Sequence, residues 1–244
     1  MNNMSPPINQ PVKRSLILLT LNEIEGLRAL ADRLPFHAVD ECVAVDGGST
    51  DGTVEFLTAR GIRVVGQSRR GRGQAFQIGV RESQGEHLVF FSPDGNEDPD
   101  DIPKLLARLD EGWEMAIGSR FLPGSRNEED GARFPVRAWA NRAFTWLANR
   151  LWNRGPYITD TINGYRAVTK RAFQRMAIDA DGFVVEYQMS IRAMKLGLRV
   201  MELPTQEGNR IGGMSTAKSL PTGMRFLRFL WHELRAGSAH TNAD

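Results

Sequence analysis

The chain has 244 residues, 41% hydrophobic and 25% charged, the balance of an ordinary globular protein rather than a disordered, collagenous or coiled-coil one. Lys and Arg number 31 against 29 Asp and Glu, a net charge of +2, which excludes a protein that coats nucleic acid with its whole surface. The single cysteine, Cys42, excludes an internal disulfide and fits a reducing compartment.

Residues 1–14 are polar, carry three prolines and lack the apolar core of a signal peptide, so they read as a loose tail. A domain over 15–218 follows. Residues 16–21 form an apolar run without polar alternation, the pattern of a strand covered on both faces. The run is far shorter than the ~20 residues of a membrane span. Asn22 is placed to cap a helix, and Leu27, Leu30, Ala31 and Leu34 then follow at the spacing of one buried helix face. Strands are predicted over 42–45, 62–65, 87–91 and 114–118. Helices are predicted over 53–60, from 71–73 to about 83, and over 101–109. This βαβα order predicts an α/β fold: a mainly parallel, Rossmann-like sheet flanked by helices. Ligands of such sheets bind beyond the carboxyl ends of the strands. The second half reads as a helix over 135–153, an irregular or strand segment over 159–168, two short helices and a strand over 198–203. A loop over 204–221 and a C-terminal amphipathic segment over 224–234 complete the chain.

The loops that begin at Asn22, Asp46, Ser92 and Gly118 lie at those strand ends and converge on one predicted crevice, and four segments carry candidate chemistry. Asp46-Gly47-Gly48-Ser49-Thr50-Asp51 follows a strand. Its Asp can accept from a nucleobase or ribose, its glycines allow close backbone approach, and Ser49 or Thr50 can cap the next helix. Ser92-Pro93-Asp94-Gly95-Asn96 offers oxygens from Asp94 and Asn96, the hard ligands that Mg²⁺ or Mn²⁺ prefer and share with phosphates. Arg69-Arg70-Gly71-Arg72-Gly73 opens a helix with amides and guanidinium groups suited to a phosphate. Residues 208–218, with Arg210 and Lys218, form a second glycine-rich basic loop. No Ser, Cys or His triad stands out. The four histidines read as structural or surface groups, and Cys42 reads as core.

Taken together and in order, these segments resemble the family 2 glycosyltransferases of the GT-A fold, and within them the polyprenol-phosphate sugar synthases of the dolichol-phosphate mannose synthase type. Seven segments carry the resemblance: Leu19-Thr20-Leu21-Asn22-Glu23, the Asp46 loop through Thr53, Gly71 to Ala75, Phe90 to Asn96, Gly118-Ser119-Arg120-Phe121, Asp160 to Arg166, and the loop from Arg210 to Lys218. The resemblance implies an inverting transfer from a UDP- or GDP-sugar with Mg²⁺ or Mn²⁺ as cofactor. It implies that Leu21, Asn22, Glu23, Asp46, Gly48, Gly73 and Asp94 hold the nucleotide, that Asp94 and Asn96 bind the metal, and that Arg72, Arg120, Arg210 and Lys218 meet phosphates. Asp160, Arg120 and Glu186 fall at the reacting end, with Asp160 the first candidate to accept a proton from a hydroxyl acceptor. Two departures stand out. Ser92 replaces the first carboxylate of the usual Asp-X-Asp, and Gly47 replaces an Asp common in the family.

Three readings of function follow. The first is transfer to a polyprenyl or dolichyl phosphate, the second transfer to a saccharide or other hydroxyl, and the third a non-catalytic nucleotide-sugar binding protein, motivated by Ser92. A lipid acceptor implies a membrane surface or a membrane partner protein. Four of the five tryptophans fall among arginines over 134–157 and 224–235, a composition that suits a bilayer interface. The expected location is the cytoplasm, peripheral on the cytoplasmic membrane face. The expected partners are the donor, the acceptor and, through the terminal aromatic helix over 219–244, a second copy of the chain. Nucleic acid is not among them. No Gly-X-Gly-X-X-Gly turn follows the first strand, which argues against a nicotinamide enzyme.

Overall fold

Apolar strands alternate with one-sided helices through the first half of the chain, and the sheet they build is seen in a computed structural model. It describes residues 13–128, 130, 136–211 and 219–236, with only the backbone for 219–223. The strands are β1 (Arg14–Thr20), β2 (Glu41–Asp46), β3 (Arg63–Gly66), β4 (His87–Phe91), β5 (Met115–Ser119), β6 (Arg166–Thr169) and β7 (Val200–Pro204). The helices are α1 (Ile24–Leu30), α2 (Thr53–Ala59), α3 (Arg72–Glu82), α4 (Ile102–Asp110), α5 (Val136–Trp152), α6 (Lys170–Arg175), α7 (Val185–Leu196) and α8 (Ser219–Ala236). The sheet order is β3-β2-β1-β4-β6-β5-β7.

The predicted α/β fold with a mainly parallel sheet is observed. The exception is β6, which runs antiparallel between β4 and β5, whereas the other four pairings are parallel. Only 166–169 of the ambiguous 159–168 segment is strand. Because β6 runs the opposite way, its entry loop arrives where the parallel strands end. This reversal brings Asn163 to the crevice and sets Asp160 behind it, against Arg120.

Strand alternation divides the core. Ile17, Leu19 and Phe90 face one side with Phe76 of α3, Tyr187 and Ile191 of α7 and Phe226 and Leu230 of α8. Leu16, Leu18, Val89 and Phe91 face the other with Leu27, Leu57, Leu105 and Leu109. Both faces are covered, which is why β1 and β4 are apolar without a break.

Helix α8 is part of this core. Glu233, with a fully buried side chain, pairs with Arg192 at 3.0 Å and with Lys195 at 2.5 Å, both on α7. Phe226 stacks on Tyr187 at 5.2 Å and packs tilted against Phe144 at 5.1 Å. The residues before 13 and after 236 and Lys218 lie outside the described residues.

Two predicted caps take other roles. Asn22 sits in the left-handed region (φ 57°) and does not cap α1. Its amide donates to Ser49 Oγ and its side-chain oxygen accepts from Thr50 N, both at 2.8 Å. It thereby locks the β1 and β2 exit loops together. The residue preceding α2 is Gly52, and Asp51 Oδ1 accepts from Thr53 N at 3.0 Å, so Asp51 does the work expected of Ser49 or Thr50.

Candidate active site

Beyond the ends of β1 to β4 lies a cleft of about 620 Å³. A second cavity of about 430 Å³ reaches across to α5 and α8. The two share Arg72, Ser92, Asp94 and Phe183, so they meet at one junction.

Arg210 carries the charge balance of this junction. The main chain of 208–211 is zipped along the loop after β4: Gly208 N donates to Asn96 O at 2.8 Å and Ile211 N to Asp94 O at 2.7 Å. Arg210 is thus held over two carboxylates, Glu23 at 2.5 Å and Asp94 at 2.9 Å. Glu23 Oε2 and Arg210 Nε are buried without a partner, polar groups that fit a site built to receive a charged ligand. Burial, opposed by Arg210 and reinforced by Asp94, pushes the Glu23 carboxyl up to about 7. Burial and Asp94, opposed by Arg72, push Glu97 up to about 8.

Because folded Glu23 holds its proton more tightly than the unfolded chain does, its stabilising contribution is complete below about 4.5. It is lost as pH rises through about 7. Thermal unfolding of the ligand-free protein should therefore show the Tm advantage of wild type over Glu23→Gln shrinking between pH 5 and 8. A constant difference across that range would contradict the shift.

At the second cavity Arg72 pairs with Glu186 and donates to Ser92 Oγ at 3.3 Å. Burial works against the Arg72 charge, but Glu186 holds the guanidinium above its ordinary value. Arg120 grips Asp160 through Nε at 2.7 Å and Nη2 at 3.0 Å and reaches Glu207 at 3.4 Å.

Asp160 does not fit the role of proton acceptor. Its side chain is 0% exposed and it is absent from the lining of the second cavity. It also accepts from Arg120 N, Ile162 N and Asn163 N. With five donors on two oxygens no lone pair remains for a substrate proton. Burial pushes its carboxyl up, but Arg120 and the amides hold it below the ordinary range. It ties Arg120 to the entry loop of β6. The other carboxylates lining this cavity are engaged as well: Asp94 with Arg210, Glu97 with Ser92 N at 2.7 Å, Glu186 with Arg72 and Glu207 with Arg120.

Leu21, Glu23, Arg72, Asp94 and Arg210 line the first cleft, and Arg120, Asn96 and Glu186 the second. Of the expected nucleotide residues, Asn22, Asp46, Gly48 and Gly73 do not line the first cleft. The carboxylate of Asp46 is saturated by its own surroundings: Oδ2 accepts from Gly48 N at 2.7 Å and Ser49 N at 2.8 Å, and Oδ1 from Ser49 Oγ at 2.5 Å and Thr20 Oγ1 at 3.2 Å. Gly73 is a packing residue. A Cβ there would lie 1.8 Å from Ala180 O, and its amide donates to Asp181 O at 3.0 Å, not into the cleft. Gly48, at φ +90°, requires glycine, and a Cβ there would also press on Arg70 Nη2 at 3.2 Å. Cys42 is inert, its thiol pushed up to about 12 by burial. His87 is tied to Asp110 at 3.0 Å, away from both cavities.

Sequence reasoning did not single out Gln67, Phe183, Arg137 or Glu207, all of which line the two cavities. Gln67 alone carried a signal, its place just after a predicted strand end. A divalent cation could be held at Asp94, with Asn96 Oδ1 beside it, since Asn96 Nδ2 is turned away to Gly208 O at 2.8 Å. Among the described residues no three His, Cys, Asp or Glu form a metal cage. The donor set therefore fits a hard cation that shares its shell with ligand phosphates, the usual habit of Mg²⁺.

The family description "Glycosyl transferase family 2" matches residues 15–181. Glycosyltransferase AglJ of Haloferax volcanii is 32% identical over 203 residues, 81% of this chain; the chain spans 63% of that protein's length. Polyprenol monophosphomannose synthase of Mycolicibacterium smegmatis is 30% identical over 232 residues, covering 86% of this chain and 83% of that protein. Undecaprenyl-phosphate mannosyltransferase of Micrococcus luteus is 31% identical over 202 residues, covering 77% and 80%. Among solved structures, glucosyl-3-phosphoglycerate synthase from Mycobacterium tuberculosis, in complex with Mn²⁺, UDP and phosphoglyceric acid, superposes with a TM-score of 0.68 at 22% identity. That match covers 96% of this chain and 80% of that one, a likeness of fold. The matched span, the relatives and the fold agree, and the chain belongs to the family 2 glycosyltransferases.

Proposed function

We propose that this protein transfers a sugar, with inversion, from a nucleoside diphosphate sugar to a polyprenyl phosphate at a membrane surface. The observation that carries this reading is the second cavity. It is lined by Arg72, Arg120 and Arg137, and each of its carboxylates is already held by a protein donor. A hydroxyl acceptor needs a base to take its proton, whereas a phosphate is already an anion and needs none. The relatives named for polyprenol and undecaprenyl phosphate point the same way.

In this reading the donor lies in the first cleft with its diphosphate at the junction. An acceptor phosphate oxygen attacks the anomeric carbon from the second cavity. The bond from that carbon to the diphosphate oxygen breaks, and the electron pair leaves with the nucleoside diphosphate. This single displacement inverts the centre. Arg210 and Arg72 stabilise the charge gathering on the leaving group. Mg²⁺ or Mn²⁺ at Asp94 and Asn96 would supply further electrostatic stabilisation. With Ser92 in place of a second carboxylate, Asp94 and Asn96 are the residues that would hold that cation.

The aromatic and basic faces of α5 and α8 flank the second cavity. Trp139, Trp146 and Trp231 are 55%, 58% and 57% exposed, and Phe144 and Phe226 join the two helices at the cavity wall. No helix among the described residues is long and apolar enough to cross a membrane, so in this reading the chain lies on the bilayer through these side chains. Co-sedimentation with vesicles containing anionic phospholipid should fall at least about threefold in a Trp139→Ala/Trp231→Ala variant, given the apolar area removed. A stable dimer at micromolar concentration with no vesicle binding would assign this face to a second copy instead.

The direct test is nucleoside diphosphate release from a panel of UDP- and GDP-sugars, with Mn²⁺, Mg²⁺ or EDTA, and with and without a short polyprenyl phosphate. Release that requires both metal and lipid phosphate is the expected result. Release indifferent to the lipid would move the acceptor to another class. Donor binding without release under any condition would favour a binding protein.

A further inference from the structure

One wall of the first cleft is a loop, residues 176–184, between α6 and α7. Asp181, Gly182, Phe183 and Val184 line the cleft, and Phe183 also reaches the second cavity. The same loop holds the start of α3. Asp181 O accepts from Gly73 N at 3.0 Å and from Gln74 N at 3.4 Å, amides that the first turn of a helix leaves without an internal partner. Ala180 O lies so close to Gly73 that a Cβ there would sit 1.8 Å from it. Helix α3 begins with Arg72, so a shift of 179–181 is passed to Phe183 and to the guanidinium at the junction.

The shape of this loop is set from α7. Ala177 sits in the left-handed region at φ 47°, a conformation that a residue with a Cβ keeps only where its surroundings hold it. Arg192 supplies that hold. Its Nη1 donates to Met176 O at 3.1 Å and to Ala177 O, and its Nη2 donates to Asp179 Oδ1 at 2.9 Å. Gln188, one turn earlier, accepts from Asp179 N and Ala180 N at 3.1 and 2.9 Å. The remaining N–H groups of Arg192, on Nε and Nη2, donate to Glu233 Oε1 of α8 at 3.2 and 3.0 Å. All five N–H groups are engaged, three on the loop and two on α8.

The charge on Arg192 makes the loop depend on α8. The Arg192 side chain is 2% exposed, that of Asp179 62% and that of Glu233 0%. A pair with an exposed carboxylate is screened by water, so the buried Glu233 is the stronger counter-ion. Glu233 also neutralises Lys195, itself buried. Without Glu233 in place, two buried cations on α7 lose their buried carboxylate, a costly state that is relieved by turning toward solvent. Arg192 then releases the carbonyls of 176 and 177. Neither Arg192 nor Glu233 lines a cavity, so any effect they have on a ligand passes through the loop.

We propose, resting on the transferase reading for the identity of the ligand, that Glu233 and Arg192 are positioning residues of the donor cleft: the seating of α8 on α7 fixes the loop over 176–184, and the loop fixes Phe183 and the start of α3 for the nucleoside diphosphate.

The test is calorimetric binding of UDP and GDP, each with Mn²⁺, to the full chain as wild type, Glu233→Gln and Leu109→Ala, with backbone hydrogen exchange read in parallel. Glu233→Gln keeps an acceptor for Arg192 and removes only the charge. It should weaken the nucleoside diphosphate that wild type binds by about 3- to 30-fold, the range for a residue that couples through its neighbours, and should speed exchange at the Asp179 and Ala180 amides. Leu109 is 2% exposed in the core on the opposite face of the sheet. Leu109→Ala should lose as much Tm or more with affinity within twofold of wild type, which separates positioning from lost stability. Binding by Glu233→Gln within twofold of wild type, or an equal weakening in Leu109→Ala, would overturn the proposal. Should Glu233→Gln fail to fold, wild type decides. Coupling is reciprocal, so the bound nucleoside diphosphate should slow exchange around Glu233 in α8 more than in α4, and equal slowing in the two helices would overturn the proposal. Absence of binding by wild type would overturn the transferase reading instead, and the coupling of α8 to the loop would then stand or fall on exchange at Asp179 and Ala180.

Discussion

Asp94→Asn should lower steady-state nucleoside diphosphate release by about 10²- to 10³-fold, the usual cost of removing one preorganised electrostatic element from a reacting centre. Asp94 lies at the junction of both cavities and is the one residue that the donor diphosphate, a shared cation and Arg210 would all meet. The substitution keeps an oxygen to accept from Asn96 N, which donates to Oδ1 at 3.1 Å, and keeps the side-chain volume. The fold should therefore survive, with a Tm within a few degrees of wild type. Only the charge is lost, and with it the counter-ion of Arg210. A second readout separates electrostatics from disruption: Asp94 is one of the groups that raise Glu23 and Glu97, so both should titrate lower in the variant. Activity within tenfold of wild type, measured with saturating Mn²⁺, would move the diphosphate and its cation away from this residue.

Asp160→Ala carries the largest expected effect on stability. The pair Arg120–Asp160 is 10% and 0% exposed, and the carboxylate also anchors Ile162 N and Asn163 N. Removing one partner of a buried ion pair typically costs about 3–5 kcal/mol, because the other charge stays buried and uncompensated. For a chain of this size that corresponds to roughly 6–20 °C in Tm. Asp160→Asn preserves the shape and an acceptor for the amides, so its loss should be smaller. It should still reduce activity, since Arg120 is no longer held in its two-point grip. Thermal unfolding of the two variants side by side distinguishes these outcomes. An Asp160→Ala protein as stable as wild type would contradict the positioning role. A variant that is stable but loses activity only above the pH of an ordinary carboxylate would restore Asp160 as a base.

The cleft and its acidic loop are legible in the sequence because their signals are local. An apolar run of four residues followed by Asp-Gly-Gly-Ser-Thr-Asp or Ser-Pro-Asp-Gly-Asn announces a strand end and a polar turn, and neighbours in sequence supply most of the geometry. The direction of β6 is not legible in this way, because a strand of four residues carries no mark of its orientation. Its reversal decides that Asp160 lies behind Arg120. The fate of Asp46 is hidden for a similar reason: a carboxylate after a strand can face a ligand or its own loop. Only the placement of Thr20 and the turn at Gly48 shows that all its lone pairs are used.

Local pattern alone was enough to establish the alternating α/β fold, the family motifs in order, the acidic turn at Asp94 and the basic character of α5 and α8. These depend on hydrophobic period, glycine backbone freedom and charge, all of which act over a few residues. Folding alone could bring together residues far apart in the chain: Arg210 with Glu23 and Asp94, Arg72 with Glu186, and Glu233 with Arg192 and Lys195. Which carboxylates are spent and which cations remain to meet a substrate follows from those long-range pairings. Burial in a shared low-dielectric site makes each group's charge depend on its neighbours in space, and no window of sequence contains them.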